Sequence, residues 1–291
     1  MNTNTLQIKG DTGLLCIIGS PVSQSKSPVL HNHLIQKLGL NLVYIPVHVP
    51  SQSLHSMIYT IRNCGFTGGN VTIPHKEHVI NYCDHISDLS KKTGTVNTLY
   101  VKNGVLNGTT TDYAGFKRGL QLINAELAGS KVVILGNGGT ARTIATALTL
   151  ENDVGSIAIA GRNGDKVKTL AETIKVSTGQ SIISCSFADP LFNEVMQECT
   201  LLVNTTSAGM HPDTGTTPID ISFFKKQMKV IDVIYNPSKT RFLAEAESKG
   251  CAILNGLPML FYQALESFKF WTGIEITNDI LTLDEFRKLV K

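Results

Sequence analysis

The chain has 291 residues, 42% hydrophobic and 17% charged, an ordinary globular composition that excludes a disordered chain and leaves room for about two domains. With 26 basic and 23 acidic residues, a net charge of +3 and no basic run, it lacks the electrostatic footprint that nucleic acid requires, so no nucleic-acid partner is expected. No apolar stretch is long enough to span a bilayer and the N-terminal MNTNTLQIKGDTG has no leader pattern, so the expectation is a cytoplasmic protein without a membrane partner.

Short apolar runs alternate with helical patterns from end to end, which predicts an α/β fold of parallel or mixed sheets. Residues 14–18 and 42–47 read as strands, with helices after Pro28 and after Pro50. Residues 69–76 read as a short strand, a polar turn and a helix beginning near Pro74, since proline suits the first helical position. Phe116, Leu120 and Ile123 give 113–125 helical spacing at the first crossing between two groups of strands. The second group, 131–135, 156–160, 182–185, 201–204, 229–233 and 251–254, has the regular rhythm of a doubly wound sheet. Near the end, Leu257, Leu260, Phe261, Ala264, Leu265, Phe268 and Trp271 outline a helix with a broad apolar face, which would return to cover the first domain. The six cysteines, at 16, 64, 83, 185, 199 and 251, show no CxxC spacing and read as separate small core residues in a reducing compartment.

The run 131–135 leads directly into Gly136-Asn137-Gly138-Gly139-Thr140-Ala141, a G-x-G-x-x-A turn between a strand and a helix. Small residues at 136, 138 and 141 permit a tight turn, close approach of a pyrophosphate and tight helix–sheet packing, while the helix start offers unpaired amides. An acidic residue at the end of the next strand would bind the ribose hydroxyls of NAD, and none is there. Gly161-Arg162-Asn163 stands in its place, with Lys166 nearby, so the expected cofactor is NADP, its extra phosphate meeting Arg162. The plainer reading makes Arg162 and Lys166 solvated surface cations.

Lys76 falls in the first turn of the helix expected at Pro74, where a cation opposes the helix dipole, so a purely structural design would place an acid there. A lysine set against its surroundings in this way suits general acid–base work; alone, a solvated helix lysine is the plainer reading. Asn97 follows a small-residue turn and Asp112 precedes a helix, so each reads as a turn residue or N-cap as well as a functional group, and Ser27 reads as a cap for the helix that Pro28 begins. His31, His33, His75 and His78 lack an HExxH pattern or a matching carboxylate set, so no metal is expected.

Taken together these segments resemble the shikimate dehydrogenases, including the quinate/shikimate enzymes, over nearly the whole chain. The matching stretches are Ser25-x-Ser27-Pro28 with His31-Asn32, Asn70-Val71-Thr72-x-Pro74-x-Lys76, Val96-Asn97-Thr98, Thr111-Asp112 with Gly115, Gly136-x-Gly138-Gly139, Asn204 through Met210, Asp232 through Pro237 with Thr240, and Gly256 through Gln263. The resemblance implies a substrate-binding and catalytic α/β domain of 1–112 with 256–291 and an NADP-binding Rossmann-type domain of 113–255. It implies reversible reduction of 3-dehydroshikimate to shikimate, with Lys76 as general acid/base paired with Asp112. Ser25 and Ser27 would hold the substrate carboxylate, Thr72, Asn97, Asp112 and Gln263 its ring hydroxyls, and Tyr235 would close over it. Residues 136–141, Arg162, Lys166, Thr205 and Gly256 would bind the cofactor, in a monomer or homodimer. Thr110 stands where the family usually has Asn, Asn137 where it has Ala, and Gly161-Arg162-Asn163 where it has Asn-Arg-Thr. A quinate-using paralogue and a catalytically silent NADP sensor are the alternatives.

Overall fold

The computed structural model describes residues 7–290. The chain divides into two compact units, one of residues up to Thr111 together with Leu260 onward, the other Asp112–Met259.

The first unit opens with β1 (Gly13–Gly19), α1 (Ser27–Lys37), β2 (Leu42–His48), α2 (Leu54–Asn63) and β3 (Phe66–Val71). The chain then passes through β4 (His85–Ile86) and α3 (Asp88–Thr93) to the strands β5 (Thr98–Lys102) and β6 (Val105–Thr109). The sheet order is β2-β1-β3-β5-β6-β4, with β1 parallel to both neighbours and β5 antiparallel to β3 and β6. The buried run along the centre of β1 follows from its position between two strands with helices to cover it. Helix α2 buries Leu54, Ile58 and Ile61, spaced as one helical face.

The second unit begins with α4 (Asp112–Gln121) and continues β7 (Lys131–Leu135), α5 (Gly139–Leu148), β8 (Ser156–Gly161), α6 (Gly164–Thr178), β9 (Ile183–Ser186), α7 (Pro190–Glu198), β10 (Leu201–Asn204), β11 (Lys229–Asp232), α8 (Arg241–Ser248) and β12 (Ala252–Leu254). All six strands are parallel in the order β12-β11-β10-β7-β8-β9, the doubly wound arrangement of dinucleotide-binding domains. Its core gathers Val133, Leu135, Phe192, Leu202, Val230 and Phe242.

Two C-terminal helices follow, α9 (Leu257–Thr272) and α10 (Leu283–Leu289). From Leu260 onward α9 belongs to the first unit, where the Trp271 indole donates to the Leu99 carbonyl at 2.8 Å and lies against Gly68, whose missing Cβ makes room for it. Helix α10 starts on a Thr282–Glu285 capping box and stacks Phe286 on Phe261.

Three local expectations need correction. No helix starts at Pro74: the Ile73–Pro74 peptide is cis, residues 72–77 form turns, and only His78–Tyr82 winds into a 3₁₀ turn. The Lys76 carbonyl, which a helix would use for residue 80, accepts the Val96 amide at 2.8 Å, so the dipole argument for Lys76 falls with the helix. Ser27 does not cap α1 but is its buried first residue, and no side chain caps that helix. Cys64 is exposed at the end of α2, so it is not a core residue; Cys16, Cys185, Cys199 and Cys251 are buried, and Cys83, half-buried, packs against the first unit's core.

Candidate active site

In the first sheet the chain leaves β1 on one side to form β2 and returns on the other as β3, so the loops after β1 and β3 part at the carboxyl ends of the strands, where open α/β sheets bind ligands. The β1 loop carries Ser25, half-buried, and Ser27, fully buried; the Ser25 hydroxyl accepts from the Ser27 amide at 3.3 Å. The β3 loop carries Thr72 and Lys76, both half-buried. The two loops are stitched by Ser20 N–H to Ile73 O and Thr72 N–H to Ile18 O, each 2.9 Å, and a Cβ on Gly19 would strike the Thr72 methyl. The backbone around Lys76 is held from both sides: the buried His75 ring bonds the Val49 carbonyl at 2.7 Å, and Val96 takes the Lys76 carbonyl.

Next to Val96, Asn97 is the centre of a buried polar group. Its amide donates to Thr111 Oγ1 at 3.0 Å and to Gln263 Oε1 at 3.1 Å, while its carbonyl oxygen accepts from the Thr111 amide at 2.9 Å and the Thr98 hydroxyl at 2.8 Å. Gln263 turns its own amide to the Leu260 carbonyl. Asn97, Thr111 and Gln263, from the entry to β5, the exit of β6 and helix α9, are thus brought together and immobilised. Asp112, 4% exposed, continues directly from Thr111 as the first residue of α4 and of the second unit. The neighbouring Thr110 hydroxyl is buried with no hydrogen-bond partner among the described residues.

In the second sheet the strand order reverses between β7 and β10, and the glycine turn leaves β7 at that point. Gly136 has φ of +115°, and a Cβ there would meet the Thr205 hydroxyl at 2.6 Å. Thr205, at the end of β10, supports the turn by bonding the Leu135 carbonyl through both its amide (2.9 Å) and its hydroxyl (2.7 Å). Asn137 is exposed, Gly138 has open space where a Cβ would be, and no side chain caps α5, so its first amides are left to an anion. Gly139 and Thr140 form that first turn and Ala141 is fully buried beneath it. These features fit a pyrophosphate. After β8, Arg162 and Lys166 are exposed at the start of α6, and Asn163 caps that helix by accepting the Lys166 amide at 2.9 Å, so an asparagine in place of the family's threonine keeps a capping side chain. Tyr235 is half-buried after β11. Gly256 lies against the Val233 carbonyl, which leaves no room for any side chain, and bonds Ile234 O at 2.9 Å.

Reasoning from the sequence missed the polar residues that brace these groups. Ser267 stands one helical turn after Gln263, a spacing that marks a shared face. Asp232, fully buried, accepts from Asn204 Nδ2 (3.0 Å), the Ile234 amide (3.1 Å) and the Thr240 hydroxyl (2.6 Å), tying the β10 and β11 loops together; burial pushes its carboxyl up to about 6. No group of three or more potential metal-ligating side chains occurs among the described residues.

The parallel sheet, its strand order and the glycine turn at the reversal define an enzyme of the dinucleotide-binding α/β class. Family models for the shikimate dehydrogenase substrate binding domain, shikimate/quinate 5-dehydrogenase and the shikimate 5′-dehydrogenase C-terminal domain match residues 17–99, 119–212 and 256–276. The NADP(+)-dependent shikimate dehydrogenase of Caldanaerobacter subterraneus subsp. tengcongensis is 40% identical over 276 residues, 95% of this chain and 97% of the relative. A shikimate dehydrogenase solved in complex with NADP+ is 31% identical, with a TM-score of 0.89 over 98% of both chains. The Thermus thermophilus enzyme, solved with NADP(H) and shikimate, is 30% identical, with a TM-score of 0.83 over 95% of this chain and 99% of its own. The chain belongs to the shikimate dehydrogenase family.

Proposed function

We propose that the protein is an NADP-dependent shikimate dehydrogenase that reversibly reduces the ketone of 3-dehydroshikimate. The observation that carries this reading is the buried group of Asn97, Thr111 and Gln263, set beside the loop that fixes Lys76. Three immobilised polar side chains from separate elements suit a small ligand rich in hydroxyls, because their geometry is prepaid before it arrives.

Ser25 and Ser27 would bind the carboxylate, and Thr72, Asn97 and Gln263 the ring hydroxyls, with Asp112 adding a carboxylate acceptor next to Thr111. When bound, the nicotinamide supplies or takes up the hydride. As the carbonyl carbon gains that hydride, Lys76 Nζ delivers a proton to its oxygen and becomes a neutral amine, which regains a proton from solvent; the reverse reaction withdraws the hydroxyl proton to Lys76. Tyr235 would cover the substrate. On the nucleotide side, residues 136–141, Thr205 and Gly256 would hold the pyrophosphate and nicotinamide portions, and Arg162 with Lys166 the additional phosphate. The substrate role falls to 1–112 with 256–291 and the NADP role to 113–255, in a cytoplasmic monomer or homodimer. No helix among the described residues is long and apolar enough to cross a membrane.

The test follows nicotinamide absorbance with shikimate or quinate as reductant and NADP+ or NAD+ as acceptor. Turnover with shikimate and NADP+ as the preferred pair is expected. Preference for quinate would move the protein to the quinate-using branch, and no turnover with any pair would overturn the reading in favour of a silent cofactor-binding protein.

A further inference from the structure

Asn70 lies on β3 within a motif singled out in the sequence, yet no role has been given to its side chain. It is 5% exposed, and every polar atom is used. Its Oδ1 accepts from the Tyr44 hydroxyl at 2.7 Å. Its Nδ2 faces three acceptors: the Asn97 carbonyl at 3.1 Å, Ser267 Oγ at 3.0 Å and Thr98 Oγ1 at 3.3 Å. The Thr98 and Ser267 oxygens lie 2.7 Å apart, so one amide hydrogen can face both. Asn70 and Thr98 are direct cross-strand partners in the β3–β5 register, and the Asn97 carbonyl receives the Val71 amide at 2.8 Å as well.

The connections continue in both directions. Ser267 contacts the Thr111 hydroxyl at 3.2 Å and donates to the Gln263 carbonyl at 3.0 Å, so it touches two members of the Asn97 group. In the other direction, Tyr44, on β2, is 1% exposed. Asn32 fixes the Tyr44 backbone, accepting its amide at 2.9 Å and donating to its carbonyl at 2.8 Å. Asn70 therefore ties the Asn97 group to Tyr44 and, through the bonds that Asn32 makes to the Tyr44 backbone, to α1, the helix that Ser27 begins.

We propose that Asn70 is a positioning residue for the substrate: through Ser267, Thr98 and the Asn97 carbonyl it sets the hydroxyl-binding group, and through Tyr44 and Asn32 it ties that group to α1, whose first residue is the carboxylate-binding Ser27. It touches neither the reacting atoms nor the nucleotide turn, and its effect falls on substrate affinity. This inference rests on the shikimate-dehydrogenase reading.

The test compares Asn70→Ala, Tyr44→Phe and Ser267→Ala with the wild-type enzyme, measuring KM and kcat for shikimate and, separately, Kd for NADPH by its fluorescence. Asn70→Ala is expected to raise the shikimate KM about tenfold, as the loss of a buried hydrogen-bonding centre implies, with kcat within about threefold and the NADPH Kd within about twofold. Tyr44→Phe and Ser267→Ala, each cutting one arm of the chain, are expected to raise KM about threefold and to combine non-additively in the double variant. If Asn70→Ala does not fold, those two single-arm variants decide the matter by the same readouts. An unchanged KM in a folded variant overturns the proposal, as does an NADPH Kd that rises in step with KM, because that signals general loosening. A wild-type protein that does not oxidise shikimate defeats the functional reading itself, a result distinct from these.

Discussion

Lys76, the proposed proton donor, stands in a turn rather than on a regular element. The buried His75 bonded to Val49 and the Val96 amide bonded to the Lys76 carbonyl fix the backbone on either side of the lysine. Lys76→Ala is expected to lower kcat by about 10²- to 10⁴-fold, the usual range for a general acid–base group, with the NADPH Kd within about twofold; a variant within a few-fold of wild type in stopped-flow and steady-state rates would remove Lys76 from the chemistry. The sequence singles out this lysine as a candidate but not its setting: a helix opened by Pro74 needs the Lys76 carbonyl, which a tertiary bond from Val96, twenty residues downstream, claims. Asn97 and Asp112 were legible as polar residues at turns, while the bonds from Asn97 to Gln263 and from Asn70 to Ser267 join residues far apart in sequence and leave no local mark.

Among the elements, the parallel strands of the second sheet were the most legible, because continuous apolar runs punctuated by glycine turns are what a doubly covered sheet demands. The β5–β6 hairpin was overlooked although Asn103-Gly104 signals it: both residues adopt positive φ, 53° and 75°, between the paired Lys102 and Val105. The start of α6 carries a prediction at this scale. Asn163 caps the helix and thereby orders the turn that exposes Arg162, so the proposed phosphate contact would be presented from a fixed helix start. Arg162→Ala is expected to weaken NADPH binding about tenfold and to leave NADH binding unchanged, because only NADPH carries the phosphate that a guanidinium fork recognises. Equal losses for both nucleotides in fluorescence titrations would place the contact elsewhere.

At the level of the whole molecule, two buried groups, one in each unit, respond oppositely to acid. In the first, burial lowers the His31 imidazole to about 3 against a smaller opposing effect of Asn70, and the ring stacks 4.4 Å from Tyr44 and meets the indole of Trp271 at 5.0 Å. Its folded pKa lies below the unfolded value, so the unfolded chain binds the extra proton and stability is lost as pH falls below about 6.5; by pH 5 the loss is about 2 kcal/mol. In the second, Asp232 has a folded value of about 6, above the unfolded one, so its contribution is fully present below about pH 4 and declines as pH rises through 6. Trp271 is the single tryptophan and reports on the first unit. Urea melts followed by its fluorescence should show that loss between pH 7 and pH 5, and His31→Phe, which keeps an aromatic ring and removes the titration, should flatten the dependence; a wild-type curve that is already flat would refute the assignment to His31. One consequence concerns birth rather than equilibrium. Gln263, Ser267 and Trp271 reach the first sheet only on the returning α9, after Asp112–Met259 has been translated. On the ribosome, therefore, Asp112–Met259 is complete while Asn97 still lacks Gln263, and a nascent chain arrested at residue 259 holds all twelve strands of the described residues but an unfinished Asn97 group.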